Sequence, residues 1–331
     1  MHVAGRVGAR LTPIEIGMRA AAHIFDERAP ALGIGTAALA IPYGAPGLSH
    51  PAPDRAVVRR TLLTATERGV RFIDTAPSYG AAETLIGEVL GPRKDCVVAT
   101  KLAIPAGGWK ALSTTEVRAH IRASAEASLR ALRRERLDLL QIHNADGSLV
   151  RRAAILEGLV QLREEGLVRS IGASVYGEEA ALAVIATPAI DCVQIAFSAL
   201  DRRPECRVIP AAISAGKAVV ARSLLLRGVL SPAGRELDGA FAALARAADE
   251  VRCWLGVGWE ELPGAAVAFA ASRPGIACAL LGPRDELELA ELLDQVERFG
   301  EAARELELPA FDLPDRLLDP SRWPVEATVE G

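Results

Sequence analysis

The sequence predicts a single α/β domain, a (β/α)8 TIM barrel with an extra helix or loop after the seventh strand and a C-terminal tail. Short apolar runs alternate with longer amphipathic stretches from about residue 31 to about residue 300, which is typical of a parallel sheet with crossover helices. Eight such strand and helix pairs can close into a barrel, whereas an open doubly wound sheet more often stops at about five to seven strands. We therefore expect one domain over 1–331, with an N-terminal extension over 1–30 and a tail over 301–331.

Each short apolar run is a predicted strand, and each longer stretch is a predicted helix. In chain order, the predicted strands are Leu32–Thr36, Arg71–Asp74, Cys96–Thr100, Leu137–Ile142, Ser170–Ala173, Cys192–Ile195, Ala218–Ala221 and Ala277–Leu281. The predicted helices are Asp54–Arg68, Ala82–Leu90, Thr115–Arg133, Val150–Glu165, Glu178–Ile185, Glu205–Ala215, Ala240–Trp254 and Asp285–Arg298.

Several boundaries carry their own signals. The run from Ser113 to Glu116 predicts a capped helix start, and Gly69, Gly166 and Gly216 are placed to end helices just before strands. The stretch 228–264 is too long for one crossover, so we expect an extra helix there and a loop over the barrel mouth.

Composition excludes several classes of protein. The 38 basic and 42 acidic residues are interspersed, so no patch of one sign is present to hold a nucleic-acid backbone. No apolar run approaches the roughly 18 residues that a bilayer-spanning helix needs. Residues 1–30 lack the apolar segment of a signal peptide, which favours a cytoplasmic protein.

The five cysteines predict neither disulfides nor a metal site, because they are odd in number, widely spaced and free of C-x-x-C pairs. Three of them, Cys96, Cys192 and Cys278, lie in or beside apolar runs, where a reduced thiol acts as a small apolar side chain.

The segment Gly33-Ile-Gly35-Thr-Ala-Ala38 matches the glycine pattern of a dinucleotide-binding Rossmann unit. That unit needs a helix directly after the glycines, but Pro42 and Pro46 follow, and Asp54 begins a helix where it should end a second strand. A tight strand end that lets the backbone approach a ligand explains the same glycines.

Catalytic groups of a barrel lie at the carboxyl ends of its strands and in the loops that follow. Asp74 ends the second predicted strand, Tyr79 follows it in the loop, Lys101 follows the third strand and His143 follows the fourth. A carboxylate beside a lysine keeps the lysine charged, and a cation lowers the pKa of a nearby phenol. An imidazole N–H can hold a carbonyl oxygen in position. These residue types indicate a site that moves a proton on and off an oxygen.

The sequence resembles the aldo-keto reductase family over nearly the whole chain. The segments that carry the resemblance are Gly33–Thr36, Gly69–Gly80, Glu83–Gly87, Ala99–Lys101, Ser128-Leu129, Asp138–His143, Gly166–Ser174 and Val193-Gln194. The resemblance implies that Tyr79 is the general acid/base, that Asp74 and Lys101 tune it, and that His143 orients the substrate carbonyl. It also implies hydride transfer between a nicotinamide cofactor and a carbonyl or alcohol.

The resemblance extends to cofactor binding. Ser174 and Gln194 match positions that hydrogen-bond the nicotinamide carboxamide, and the segment after the seventh strand matches the pyrophosphate loop. The residues implied to bind cofactor are Gly35, Thr36, Ser174, Gln194, Arg222, Ser223, Gly228, Leu230, Gly282, Arg284 and Glu288.

Some positions depart from the family pattern. Val175 replaces a common Asn, so one carboxamide contact is lost, and Phe197 is the aromatic residue after the Gln194 region. Glu288 and Leu292 replace Gln and Asn at the adenosine-phosphate site, which leaves Arg284 as the main cation for a 2′-phosphate. The family favours NADP(H), with NAD(H) as the second choice, and the nearby acidic residues work against the phosphate.

Tyr43, Trp109 and Asn144 are predicted to line a substrate pocket, although surface packing explains each of them equally well. A small carbonyl or alcohol is the expected partner, and the short polar loops suggest a polyhydroxylated or sugar-derived one. Two rival functions stay open. Lys101 could form a Schiff base as in aldolases, or the chain could be a non-catalytic, cofactor-binding regulatory subunit.

Overall fold

The computed structural model describes Ile24, residues 32–91 and residues 93–323. Its eight parallel strands close into a barrel in chain order, with the last strand paired to the first, which confirms the predicted (β/α)8 barrel. The strands are β1 Leu32–Gly35, β2 Phe72–Asp74, β3 Val97–Lys101, β4 Leu137–Ala145, β5 Val168–Val175, β6 Cys192–Ala196, β7 Ala218–Arg222 and β8 Ile276–Leu281.

Helices follow the strands on the outside of the barrel. They are α1 Arg55–Glu67, α2 Ala82–Val89, α3 Thr114–Leu132, α4 Gly147–Val150, α5 Ala153–Glu164, α6 Glu178–Ile185, α7 Val208–Ser214, α8 Ala242–Leu255, α9 Leu262–Ala271, α10 Glu286–Glu305 and α11 Asp315–Leu318. No helix in the described part of the chain combines the length and apolar character needed to cross a membrane. Apart from Ile24, the N-terminal extension over 1–30 lies outside the described residues, as does the tail beyond residue 323.

Strand β4 is longer than the sequence predicts. It continues past Ile142 to Ala145, and its pairing with β5 resumes at Val175 after a shift in register. The polarity of His143 and Asn144 predicts a loop, but both residues belong to the strand and lie at the barrel mouth.

The region between β7 and β8 contains the predicted extra helix, α8, and a second helix that the sequence pattern did not reveal. This second helix, α9, packs against both β8 and α10. Eight of its ten residues are buried, so it has no polar face and lacks the amphipathic period on which helix prediction depends. It is the crossover helix that leads into β8.

Most predicted helix boundaries agree with the structure, but not all. The predicted helix Val150–Glu165 begins at Ala153, because Val150 ends the separate helix α4, and α10 runs past the predicted end at Arg298 to Glu305, into the predicted tail. The Ser113 hydroxyl accepts a hydrogen bond from the Glu116 backbone N–H, and the Glu116 carboxylate accepts one from the Ser113 N–H. Gly69, Gly166 and Gly216 have φ values of +85°, +79° and +64°, the left-handed region that glycine enters without strain.

The barrel interior is packed with apolar side chains, including those of Phe72, Leu139, Cys192 and Cys278. Ile24 is completely buried in the same cluster, so the chain before β1 contributes a side chain to this core. Burial raises the pKa of both thiols, which keeps them protonated and apolar in character.

A second apolar cluster lies beside the mouth and joins the loops that follow β1 and β7 to α8, α9 and the C-terminal segment. Ala45 belongs to it, and its backbone N–H donates to the Arg227 carbonyl oxygen at 2.8 Å. Leu318 and Trp323 bring the end of the described chain into the same cluster. These contacts hold one wall of the mouth in place.

Candidate active site

A cavity of about 820 Å³ opens at the carboxyl ends of the strands. Asp74 at the end of β2, Tyr79 in the next loop and His143 near the end of β4 all line it. Lys101, the last residue of β3, is completely buried and reaches Asp74. The structure therefore brings together the four side chains that the sequence predicts as catalytic.

Asp74 is the centre of a buried polar cluster. Its Oδ2 accepts a hydrogen bond from Lys101 Nζ at 2.7 Å, and Lys101 Nζ also donates to the Thr75 carbonyl oxygen at 2.8 Å. Its Oδ1 accepts from Gln141 Nε2 at 2.9 Å and from Gln194 Nε2 at 2.8 Å. Both carboxylate oxygens and the ammonium thus have hydrogen-bond partners, which a buried ion pair needs for stability.

Gln141 was missed by sequence reasoning. It lies two residues before His143 on β4, and residues two apart on a strand share one face. That spacing was the available signal, because the inward direction of His143 implies the same for Gln141. An amide there supplies a donor to Asp74 without adding charge.

Tyr79 lies between His143 and Lys101. The centroids of the Tyr79 and His143 rings are 6.1 Å apart with an interplanar angle of 87°, and Lys101 Nζ is 5.2 Å from the Tyr79 centroid. Tyr79 is held by a turn that leads into α2, since its N–H donates to the Ala76 carbonyl and its own carbonyl accepts from Ala82. The phenol is thereby fixed over the buried cation.

His143 is neutral at physiological pH. Burial lowers its pKa from the ordinary value of 6.5 to about 4, and the positive charge of Lys101 acts in the same direction. Asp74 opposes the shift, and Arg222 adds to it. A neutral imidazole carries one N–H donor, which suits it to hold a carbonyl oxygen.

Arg222, the last residue of β7, faces the cavity beside Tyr176. Its guanidinium carbon lies 4.0 Å from the centroid of the Tyr176 ring, and Nη2 donates to the Val175 carbonyl oxygen at 2.9 Å. Weaker hydrogen bonds run to the hydroxyls of Ser174 at 3.4 Å and Ser223 at 3.2 Å. Among the described residues it forms no ion pair, so its charge is available to an anionic group in the cavity.

Gln194 has an unusual hydrogen-bonding state. Its amide nitrogen is used by Asp74, but its Oε1 atom is buried and accepts no hydrogen bond. Such an orphaned acceptor is uncommon in a folded protein, and it is free to accept a hydrogen bond from a donor outside the chain. Ser174 lies on the neighbouring strand, in register with Gln194, and lines the cavity.

The structure separates the predicted cofactor residues into two groups. Those that line the cavity are Gly35, Ser174, Arg222, Ser223, Gly228, Gly282, Arg284 and Glu288. Thr36, Gln194 and Leu230 are buried behind it instead. Thr36 uses its hydroxyl to donate to the Asp74 carbonyl oxygen at 3.0 Å, so it supports the end of β2.

The loop after β7 has a strained backbone. Ser223, Leu226 and Arg227 have φ values of +61°, +45° and +54°, and Gly228 follows at +90°. Side chains rarely adopt this region, and clusters of such residues mark sites where backbone N–H groups are directed at a ligand. The strain lies in the segment that the family resemblance assigns to the pyrophosphate.

The three predicted pocket residues have different positions. Tyr43 and Asn144 line the cavity, whereas Trp109 does not. Trp109 is buried, and its ring packs edge-on against His120 with centroids 5.4 Å apart. Tyr176 lines the cavity, so all three tyrosines of the chain surround the mouth. Burial raises the pKa of Tyr43, which keeps its phenol neutral.

Comparison with known proteins places the chain in a family. The model of the Aldo/keto reductase family matches residues 31–300. The chain is 29% identical to aldo-keto reductase YhdN of Bacillus subtilis over 207 residues, which are 60% of each protein. It is 34% identical to an aldo-keto reductase of Mycobacterium ulcerans over 178 residues, 51% of the chain and 55% of the relative. The chain thus spans little more than half the length of these curated relatives.

Solved structures show the same fold. The aldo-keto reductase AKR11C1 of Bacillus halodurans, in its holo form, aligns with a TM-score of 0.67 at 23% identity, covering 85% of this chain and 94% of its own. The glycerol dehydrogenase AKR11B4 of Gluconobacter oxydans aligns with a TM-score of 0.61 at 22% identity, covering 86% and 95%. Because the family model matches most of this chain, the chain belongs to the aldo/keto reductase family.

Proposed function

We propose that the chain is an oxidoreductase that transfers hydride between a nicotinamide cofactor and a carbonyl substrate or the corresponding alcohol, with Tyr79 as the general acid/base. Its family generally uses nicotinamide cofactors. The observation that carries the proposal is the fully buried Lys101 ammonium, anchored by Asp74 and placed 5.2 Å from the centroid of the Tyr79 ring.

The proton chemistry follows from this arrangement. In the reductive direction the Tyr79 hydroxyl donates its proton to the substrate oxygen, and the Lys101 charge stabilises the phenolate that is left. The neutral His143 ring donates an N–H to the same oxygen and orients it. Asp74 holds the ammonium in place. In the oxidative direction the Tyr79 phenolate accepts the proton from the alcohol.

The residues present fit a nicotinamide dinucleotide. The orphaned Gln194 Oε1 atom would be satisfied by the N–H of a carboxamide, with the Ser174 hydroxyl as a second partner. In the strained loop from Ser223 to Gly228, the N–H groups of Leu226 and Gly228 donate within the loop, and the other backbone N–H groups would hold phosphate oxygens. When bound, the cofactor supplies or accepts the hydride, while the chain supplies position and proton chemistry.

The Schiff-base rival is disfavoured by the environment of Lys101. A nucleophilic lysine needs a neutral amine that can reach the substrate carbon. Here Nζ is completely buried and donates hydrogen bonds to Asp74 and to the Thr75 carbonyl oxygen. Borohydride trapping separates the two chemistries, because only the Schiff-base enzyme would leave substrate covalently attached to Lys101.

The deciding experiment follows the near-ultraviolet absorbance of the reduced nicotinamide with a panel of aldehydes, ketones and polyhydroxylated carbonyls, and of alcohols in the reverse direction. The panel includes polyhydroxylated compounds because Tyr43, Asn144 and Arg222 give the cavity a polar lining. We expect turnover in the parent and its loss in Tyr79→Phe. Cofactor binding without turnover of any substrate would instead support a regulatory subunit.

A further inference from the structure

One wall of the cavity is formed by the loop after β8 and the first turns of α10, residues 282–295, which we call the β8 wall. Arg284, Asp285, Glu288 and Glu291 line the cavity from this wall. In (β/α)8 barrels the loops after the seventh and eighth strands frequently bind phosphate groups. The adenosine half of a dinucleotide, which carries the 2′-phosphate in NADP(H), is therefore expected to lie against the β8 wall.

The charges of the β8 wall are mainly negative. Arg284 is its one basic residue, while Asp285, Glu288 and Glu291 carry carboxylates, and Glu260 adds another from the loop before α9. Arg60 of α1 reaches the start of α10, but it donates to Glu286 at 2.6 Å and is thereby neutralised. The acidic side chains outnumber the basic ones, so an added dianion would meet net repulsion.

Arg284 is already paired within the chain. Its Nε donates to Glu288 Oε2 at 3.0 Å, and its backbone N–H donates to the same oxygen at 2.7 Å. Asp285 Oδ1 accepts from the backbone N–H groups of Leu287 and Glu288 at 3.0 and 2.8 Å. The chain's own carboxylates thus occupy Arg284 Nε and the backbone N–H groups of Arg284, Leu287 and Glu288 at this helix start.

We propose that the β8 wall selects NAD(H) over NADP(H), and that Glu288 is the residue that sets this preference. The inference rests on the proposed function. A 2′-phosphate would place nearly two negative charges beside Glu288 and would compete with it for Arg284. A ribose 2′-hydroxyl is instead a donor, and a carboxylate that accepts from it is the usual device for NAD recognition. Both hydrogen bonds that Glu288 accepts use Oε2, which leaves Oε1 for that hydroxyl.

The resemblance to the family favours NADP(H), with Arg284 as the main cation for a 2′-phosphate. The ion pair draws the Arg284 guanidinium to Glu288 through Nε, so a 2′-phosphate would have to share this cation with a carboxylate. The preference between NADH and NADPH should also depend on ionic strength, because the side chains of Arg284 and Glu288 are partly exposed, at 58% and 30%. Added salt screens such charges, so discrimination against the phosphate should weaken as salt is raised.

The test is titration calorimetry of the whole chain with NADH, NADPH and their adenosine fragments, 5′-AMP and 2′,5′-ADP. We expect NADH to bind at least about tenfold more tightly than NADPH at low salt, a ratio that corresponds to one lost charge-assisted contact. The fragments should follow the same order. The ratio should fall as sodium chloride is added.

Glu288→Gln is the informative variant. It should raise the affinity for NADPH about tenfold and lower that for NADH a few-fold, because it removes one negative charge and keeps the side-chain shape. Glu297→Gln is the matched control, since Glu297 is an exposed glutamate of the same helix that does not line the cavity. It should leave both affinities unchanged.

The outcomes are distinguishable. If NADPH binds the parent as tightly as NADH, or if Glu288→Gln shifts both cofactors equally, the inference is overturned while the proposed function stands. If neither dinucleotide binds a folded parent chain, the proposed function itself falls.

Discussion

The Lys101 ammonium and the Asp74 carboxylate lie 2.7 Å apart at the base of the cavity, and neither side chain is more than 5% exposed. Taking two charges out of water is unfavourable, and the remaining hydrogen bonds must compensate for it. Asp74 receives two further donors, from Gln141 and Gln194, and Lys101 a carbonyl acceptor. The ion pair therefore also holds the Gln141 and Gln194 side chains in position.

Lys101→Met should destabilise the chain and abolish most turnover. The substitution leaves a buried carboxylate without its cation, and breaking such a pair costs about 3–5 kcal/mol. The free energy of unfolding in urea measures the loss. Lys110→Met, at an exposed lysine, is the control and should stay within about 0.5 kcal/mol of the parent. Equal stability of the two variants would mean that the buried pair contributes nothing.

Tyr79→Phe should lower turnover by about 10²–10⁴-fold, the usual contribution of a positioned general acid. The ring remains, so cofactor affinity and thermal stability should be unchanged. Steady-state and stopped-flow rates on cofactor-saturated protein provide the measurement. Reduction of a good substrate within a few-fold of the parent rate would contradict the role of Tyr79 and direct attention to His143 as the acid.

The effects of Tyr79→Phe and Lys101→Met on turnover should be far from additive. The two groups act on one proton, so the double variant should be only slightly slower than the worse single variant. Rates of the parent, both single variants and the double variant complete the cycle. Multiplication of the two single effects would indicate independent roles.

His143 should make stability depend on pH. Burial lowers its pKa from 6.5 to about 4 in the folded chain, so between these values the unfolded state binds more protons. The contribution of His143 to the free energy of unfolding is fully present above pH 6.5 and is lost as the pH falls toward about 4. His143→Gln removes this titration. The difference in unfolding free energy between parent and variant should therefore shrink from about pH 7.5 to about pH 5, and a constant difference would mean that His143 keeps an ordinary pKa.

Gly87 should tolerate no side chain. An added Cβ would lie 2.1 Å from the Ala131 carbonyl oxygen, which forces α2 away from α3, and such overpacking costs about 1–3 kcal/mol. Gly300 is a matched control, because it lies in α10 and a Cβ there meets nothing within 4 Å. Gly300→Ala should instead stabilise the chain by about 0.5–1 kcal/mol. The melting temperatures of the two alanine variants, at Gly87 and at Gly300, test this prediction. Similar melting temperatures would contradict the close approach of α2 and α3.

Most of the fold was predictable because its signals are local. Each of the eight strands contains a short apolar run, and helix starts such as Ser113 carry their own capping residues. The crossover helix α9 was missed because it is buried on nearly all sides. Its sequence consequently shows no alternation between polar and apolar faces.

The positions of the candidate site residues were predictable where the residues lie at strand ends. Asp74, Lys101 and His143 follow from the rule that catalytic groups lie at the carboxyl ends of barrel strands. Trp109 does not line the cavity, because it packs against His120, and a sequence pattern does not determine that tertiary contact. The pairing of Arg284 with Glu288 is likewise a side-chain arrangement, and a list of nearby charges does not determine it.

The closure of the barrel has a kinetic consequence. Leu32 of β1 lies opposite Ala279 of β8 in the parallel pairing, so the first and last strands, which are separated by most of the chain, are neighbours. Contacts between such distant residues form slowly, because loop-closure entropy is lost before they contribute. During synthesis, β1 keeps one edge unpaired until the ribosome has released β8. A nascent chain stalled before residue 276 should therefore depend on chaperones for solubility in a way that the finished chain does not.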